Sequence, residues 1–174
     1  MEVDAGNDYT VEVDSAGFIP ATYNSVDIVT DETTILEAIL QIPDTFVGDG
    51  TVSGTIRDSL SALGVTGVTV SLREGLNTQA GAVVTTGTTN GAGLFSIAGV
   101  PTGYYTAELA KTGYVTAFIS IYSLGGQTTG NQNASISPVL AAGETRIVLT
   151  WGVAPSDLDS HLTGPKTSGG RFHI

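Results

Sequence analysis

The sequence has no cysteine and few basic residues, and both shortages narrow the classes of protein to which it can belong. Without cysteine it forms no disulfide bond, offers no thiol nucleophile and builds no cysteine-ligated zinc site. Six Lys and Arg residues stand against 17 Asp and Glu residues, which gives a formal net charge of −11 at pH 7. Because a surface of that sign repels phosphates, we expect neither a nucleic acid nor an anionic membrane surface as a partner.

Long apolar runs and a recognisable leader are missing as well. No stretch approaches the roughly 18 apolar residues of a membrane-spanning helix, so we expect no membrane insertion. Met1 is followed by acidic residues rather than by a basic and then an apolar region, so we expect no signal peptide in this chain. Thr, Ser, Gly and Asn are abundant and only Lys111 and Lys166 are lysines, a composition typical of microbial surface proteins. The expected location is extracellular or cell-surface.

Short runs of alternating apolar and polar residues, broken by Gly, Asn, Asp and Pro, are the main pattern that is present. Val68, Val70 and Leu72 share one face of such a run, and Asn90-Gly91 is a strong hairpin-turn signal. Strands are predicted at 51–56, 68–72, 82–86, 94–97, 104–109, 115–122, 134–140 and 145–151. Strands at this spacing predict an all-β fold, an antiparallel β-sandwich.

An internal repeat extends the prediction to the first forty residues. The segment 9–19 matches 105–115, and 35–40 matches 135–140. The spacing of the apolar residues alone would also allow a helix at 35–40. Pro138 disfavours a helix in the second copy, so both copies are predicted to be strands. Residues 1–43 therefore correspond to the back half of a sandwich whose front half is missing, which leaves sheet edges without partners.

Five short motifs carry a resemblance to a known family. They are Val-Ser-Gly-Thr-Ile at 52–56, Gly-Val-Thr-Val at 67–70, Thr-Thr-Asn-Gly-Ala-Gly-Leu-Phe at 88–95, Val-Pro-Thr-Gly-Tyr-Tyr-Thr at 100–106 and Lys-Thr-Gly-Tyr at 111–114. Residues 51–142 thus resemble the carboxypeptidase regulatory-like domain, an immunoglobulin-like or transthyretin-like β-sandwich related to Cna B-type surface repeats. The resemblance implies a module that accompanies a catalytic domain and does not itself cleave.

The C-terminal segment carries a different resemblance. The run 147–151, followed by Asp157, Asp159 and His161 in a D-x-D-x-H motif, resembles the start of a YfaP-like bacterial domain. The expected organisation is a half-sandwich at 1–43, a linker at 44–50, a complete sandwich at 51–142 and the truncated start of a third β-domain at 143–174.

Asp157, Asp159 and His161 are also the candidate metal ligands. On a strand they share one face, with successive pairs roughly 6.5–7 Å apart. Their carboxylates suit Ca²⁺, while the imidazole shifts the preference toward Zn²⁺ or another transition metal, and His173 could fold back to join them. The alternative is a solvated polar face whose aspartates cap turns near 155–156. No cofactor is required, and Ca²⁺ is the candidate if one binds.

Catalysis is not expected. Ser156 or Ser160 with His161 and an aspartate would supply the residue types of a hydrolase triad. Neighbours in one strand, however, cannot adopt the converging geometry that a nucleophile, a base and an orienting carboxylate require. We therefore predict that the chain is not an enzyme.

The aromatic residues also suggest a carbohydrate-binding surface. Tyr104, Tyr105, Tyr114, Phe118 and Tyr122 are close enough in sequence to form a stacking surface for sugars. At a period of two, however, half of such a set faces inward, and Phe95, Phe118 and Trp151 are expected in the core.

The predicted function is that of a structural or adhesion module at the cell surface. Because both ends have unpaired strands, the tail of one chain could complete the head of another and build oligomers or filaments. The expected assembly residues are Tyr9, Val11, Val13, Ile35, Ile39, Val148 and Trp151. Two alternatives remain: an accessory module of a larger protein that binds calcium or carbohydrate, and a fragment whose residues 1–43 pack on the central sandwich or stay mobile.

Overall fold

The computed structural model describes residues 3–37, 39–147, 163–165 and 170–173, and all the regular structure there is β-strand. This part of the chain therefore contains no helix that could cross a membrane. The strands are β1 (Gly6–Val13), β2 (Ala21–Ile28), β3 (Asp49–Asp58), β4 (Thr69–Glu74), β5 (Thr85–Thr88), β6 (Leu94–Pro101), β7 (Gly103–Ala110), β8 (Ala117–Ser123), β9 (Thr128–Thr129), β10 (Ala134–Ile136), β11 (Thr163–Pro165) and β12 (Arg171–His173).

Strands β3 to β10 form a sandwich of two sheets. Sheet I has the order β10-β3-β6, with β9 also paired to β3, and sheet II has the order β5-β4-β7-β8. The pairs β3–β6, β4–β5, β4–β7 and β7–β8 are antiparallel, while β9 and β10 run parallel to β3. The all-β sandwich predicted from the alternation is confirmed.

The first core lies between the two sheets and follows the alternation of the sequence. Val68, Val70 and Leu72 are completely buried, as their shared face predicts. Other members come from both sheets: Val52, Ile56, Val65, Phe95, Ile97, Val100, Tyr105, Ala107, Leu109, Ile121 and Ile136. Asn90 closes the predicted turn, since its Oδ1 accepts hydrogen bonds from the backbone N–H groups of Ala92 and Leu94.

The described residues before position 43 include a hairpin and a strap on the outer side of sheet II. The antiparallel hairpin β1–β2 contacts the segment that follows β4, where Asn24 N donates to Leu76 O and Leu76 N donates to Thr22 O. We call residues 35–37 and 39–42 the strap. A second core unites both parts with sheet II: its buried members are Ala21, Tyr23, Val26, Ile42, Leu76 and Tyr104. The described residues within 1–43 thus pack on the central sandwich, as one of the two alternatives expects.

Two strand predictions are wrong. The segment 35–40 is not a strand over its described residues, because its backbone is held by side chains rather than by a neighbouring strand. Residues 145–147 are not a strand either; the rest of that predicted run, 148–151, lies outside the described residues. The strand predicted at 82–86 is observed as the four-residue strand β5, which begins three residues later than predicted. The domain boundaries stay a prediction.

Candidate functional site

Strand β8 lies at the end of sheet II and offers a free edge. It pairs with β7 alone, in a register from Gly103 opposite Ser123 to Leu109 opposite Ala117. Among the described residues no strand pairs with its other edge. Alternate N–H and C=O groups along that edge therefore point away from the sheet, where an added strand could bond them.

β8 also lacks the features that usually protect an edge strand. Its seven residues, Ala-Phe-Ile-Ser-Ile-Tyr-Ser, include no charged residue, no proline and no glycine. The opposite end of sheet II is formed by a shorter strand. There β5 is only four residues long, and a Cβ on its Gly87 would lie 2.5 Å from Ile97 Cγ1 of β6. Of the two end strands of sheet II, β8 thus offers the longer uncharged edge.

A groove with a volume of about 590 Å³ lies along β8. Residues 118–121 line it from the strand, residues 35–37 line it from the strap, and residues 131–133 line it from the loop before β10. Glu37 is the one charged residue among the lining residues. The groove therefore combines a strand edge with almost uncharged walls.

The strap is held beside β8 by hydrogen bonds from side chains. Tyr23 Oη donates to the Glu37 carbonyl at 2.6 Å, and Ser120 Oγ of β8 donates to Glu37 Oε2 at 2.6 Å. Tyr104 Oη donates to the Leu40 carbonyl at 2.9 Å and accepts from the Ile42 N–H at 2.9 Å. Ile42 is fully buried, which fixes the C-terminal end of the strap.

Electrostatics favour the neutral form of the tyrosine that holds Glu37. Burial raises the pKa of Tyr23, and the negative charge of Glu37 and the neighbouring Tyr104 raise it further. The hydroxyl consequently keeps its proton through the neutral pH range and stays available as a donor to the strap.

The expected assembly residues fall into three groups. Tyr9, Val11 and Ile39 are half-buried and pack against the second core of their own chain. Val13 and Ile35 are exposed, Ile35 by 86% of its surface. Val148 and Trp151 lie outside the described residues. The described apolar members of the head are thus largely engaged within the chain, and the assembly role of the whole set stays a prediction.

The expected metal ligands are not part of the described structure. Asp157, Asp159 and His161 lie outside the described residues, and so does the side chain of His173. Within the described residues no three His, Cys, Asp or Glu side chains come together in a way that could hold a metal ion. The Ca²⁺ prediction rests on the D-x-D-x-H motif alone.

The aromatic residues do not share one exposed surface. Tyr105 is buried in the first core and Tyr104 in the second, while Tyr114 and Tyr122 are half-buried. Phe118, which was expected in the core, is 36% exposed because its side of β8 faces away from sheet I. That expectation is wrong for Phe118 and confirmed for Phe95, while Trp151 lies outside the described residues.

The sequence interpretation missed the edge position of β8 and the contact between Ser120 and Glu37. Strand order depends on pairing between distant segments, and nothing in residues 117–123 states which strands become neighbours. The one available signal was the absence of charge from the run 117–123, which a central strand and an unprotected edge share.

Comparison with known proteins gives structural likenesses only. No family model and no curated protein matches the sequence. Among solved structures, a proposed carbohydrate-binding protein from Bacteroides uniformis has a TM-score of 0.41 at 14% identity, and the minor pilin of Streptococcus agalactiae has 0.42 at 14%. A 3-chlorocatechol 1,2-dioxygenase from Rhodococcus opacus has 0.39 at 10% identity.

These matches cover parts of each protein. They span 52%, 76% and 56% of this chain, and 42%, 58% and 64% of the three matched chains in the same order. This chain thus spans less than two thirds of each matched structure. At such identities and TM-scores the matches assign no activity, ligand or partner to this chain.

Proposed function

We propose that the chain is a non-enzymatic structural or adhesion module of an extracellular or cell-surface protein, and that it associates with other β-structure by strand addition along β8. The observation that carries the proposal is the free edge of β8: seven uncharged residues with one strand neighbour in the described part of the chain. Main-chain hydrogen bonds along such an edge supply affinity, and the alternating side chains supply specificity.

The free edge of β8 replaces the head of the chain as the acceptor of an added strand. The sequence predicts assembly because residues 1–43 and the tail both lack partner strands. In the structure, Ala21, Tyr23 and Val26 are buried against Leu76 and Tyr104 of the same chain. Their apolar surface is therefore already covered, whereas the edge of β8 is not.

A second candidate function is ligand binding in the groove along β8. Its volume of about 590 Å³ falls within the range of small-molecule sites. Uncharged amides line much of it: Asn77, Gln79, Asn131, Gln132 and Asn133. Such groups both donate and accept hydrogen bonds, which suits a hydroxyl-rich neutral ligand such as a carbohydrate better than Ca²⁺, for which Glu37 offers the sole carboxylate.

The test compares two substitutions of an exposed apolar residue by lysine. Phe118→Lys places a charge within the free edge strand, whereas Leu60→Lys, at a residue 65% exposed, places the same charge in a turn after β3. Light scattering over a wide concentration range should show the wild-type mass rising above 17.8 kDa. The Leu60→Lys protein should follow the wild type, and the Phe118→Lys protein should remain a monomer.

Two results would contradict strand addition at β8. One is a wild-type mass that stays at 17.8 kDa at every concentration. The other is association that Phe118→Lys leaves unchanged. A constant monomer whose melting temperature rises with a neutral oligosaccharide would instead support the binding module, since a ligand stabilises the folded state by mass action.

A further inference from the structure

The sequence of β8 is nearly symmetric about its central residue. Counting outward from Ser120, Ile119 corresponds to Ile121, and Phe118 corresponds to Tyr122. The outermost positions hold two small residues, alanine and serine. A strand with this symmetry is complementary to a second copy of itself that runs in the opposite direction.

Antiparallel pairing centred on Ser120 brings similar side chains together. Ile119 would lie opposite Ile121 of the second copy, and Phe118 would lie opposite Tyr122 of the second copy. Cross-strand pairs of this kind, aromatic with aromatic and β-branched with β-branched, are the stabilising units of an antiparallel sheet. Because each pair occurs twice about the two-fold axis, the register places four matched pairs around the central serines.

In the same register, the inner face of sheet II in one copy continues as the inner face in the other copy. Ile121 is 1% exposed and Ile119 packs against the first core, so these residues form the inner face. Phe118, Ser120 and Tyr122 alternate with them and form the outer face. A shift of one residue would set isoleucines opposite aromatic residues and outer side chains against the inner face, so the register is well specified.

We propose that two copies of the chain pair through β8 in this register and form a closed two-fold dimer with a continuous eight-stranded sheet. The inference rests on the proposed strand addition at β8 and names its partner. A pairing in which the same strand meets itself is isologous, so it closes after two copies and does not extend into a filament.

The charge distribution permits this partner although each chain carries a net charge of −11. β8 itself has no charge, so no like charges would lie directly opposite each other in the new strand pair. The groove beside β8 contains the carboxylate of Glu37, which accepts the hydrogen bond of Ser120 at 2.6 Å. The remaining repulsion acts at longer range and is screened by salt.

A cysteine at the centre of the pair tests the arrangement. The wild-type chain contains no cysteine, so a disulfide in a single-cysteine variant must join two molecules. Opposed residues of an antiparallel pair have Cα atoms about 4.5–5.5 Å apart, within disulfide range. Ser120→Cys should form a covalent dimer under mild oxidation. Ser96→Cys, exposed within the edge strand β6 of sheet I, is the matched control and should not.

A mixing experiment tests the register. In the proposed dimer Phe118 lies opposite Tyr122 of the second copy and far from its own counterpart. A mixture of Phe118→Cys and Tyr122→Cys chains should therefore cross-link faster than either variant alone. This pair of variants also leaves the hydrogen bond between Ser120 and Glu37 in place, so it does not depend on the strap tolerating a change at Ser120.

The outcomes separate this inference from the proposal on which it rests. If the wild-type mass never rises with concentration, strand addition and the dimer both fail. If the mass rises but Ser120→Cys cross-links no faster than Ser96→Cys, or the mixture no faster than its components, association uses another surface or register. That result overturns the β8 dimer and leaves self-association standing.

Discussion

Two adjacent tyrosine hydroxyls of β7 make hydrogen bonds on opposite sides of sheet II. Tyr104 points out of sheet II and bonds the strap at both Leu40 and Ile42, while its neighbour Tyr105 points inward and donates to the Pro101 carbonyl at 2.8 Å. Each ring buries a large apolar surface and satisfies its polar end within the chain. One pair of adjacent residues therefore anchors both cores.

Tyr105 makes the stability of the protein depend on pH in the alkaline range. Burial raises its pKa from 10.0 to about 12, and the negative charges of Glu74 and Asp49 contribute. The folded state holds the phenolic proton more tightly, so this stabilisation is complete below pH 10 and decreases as the pH rises toward 12. The loss approaches about 3 kcal/mol when both the folded and the unfolded state have lost the proton.

Urea denaturation of the wild type and of Tyr105→Phe between pH 9 and about pH 12 checks this prediction. The variant should be less stable at pH 9, because it loses the hydrogen bond to Pro101. Its free energy of unfolding should then fall less steeply than that of the wild type as the pH rises. Parallel curves for the two proteins would contradict the role given to Tyr105.

At the scale of elements, the strap determines what surrounds the free edge of β8. Glu37 is held by Tyr23 and Ser120, so its carboxylate stays beside the centre of β8. In the proposed dimer two such carboxylates lie near the two-fold axis. Dimerisation should therefore become stronger as salt is added, because the like charges are screened.

Glu37→Gln should strengthen dimerisation by removing this pair of like charges. The amide can still accept the hydrogen bond from Ser120, and an exposed charge pair is worth about 0.2–1 kcal/mol, so a tightening of about one- to fivefold is expected at low salt. Glu12→Gln removes an equal charge from the exposed side of β1 and serves as the control. Light scattering at low and high salt measures both effects. If both variants dimerised more tightly by the same factor, net charge rather than the position of Glu37 would determine dimerisation.

Local pattern predicted most strands of the sandwich but not the strap. Val68, directly before β4, and Val70 and Leu72 within it alternate with polar residues because one face of this stretch is buried, so the pattern itself predicts their burial. The segment 35–40 carries similar apolar residues. Its Leu36 and Ile39 pack against the second core, however, and its carbonyls accept hydrogen bonds from two tyrosine hydroxyls of distant strands. The internal sequence repeat does not reveal whether this segment has a neighbouring strand to pair with.

The site was harder to predict than the fold for the same reason. The symmetry of residues 117–123 is visible in the sequence, but it has a consequence only if β8 is an edge. Edge position depends on the order β5-β4-β7-β8, and that order results from pairings between segments far apart in the chain. The exposed position of Phe118 follows from the pairing as well.

On the scale of the whole molecule, the described part of the protein combines a partly covered sheet II with an open, uncharged edge at β8. The hairpin and strap cover part of the outer side of sheet II, and β5 packs against β6 on the far side. A chain with a charge of −11 resists nonspecific association, because every copy repels every other at long range. Specific association then requires an uncharged surface that matches its partner closely, and β8 offers one.

Hydrogen exchange at two protein concentrations tests the central claim most directly. Added hydrogen bonds along the edge of β8 should slow the exchange of backbone amides in residues 117–123 at high concentration. The amides of the other long edge strand, β6, should exchange at the same rate at both concentrations, which provides a control within the same molecule. Exchange in residues 117–123 that is independent of concentration would contradict association through β8.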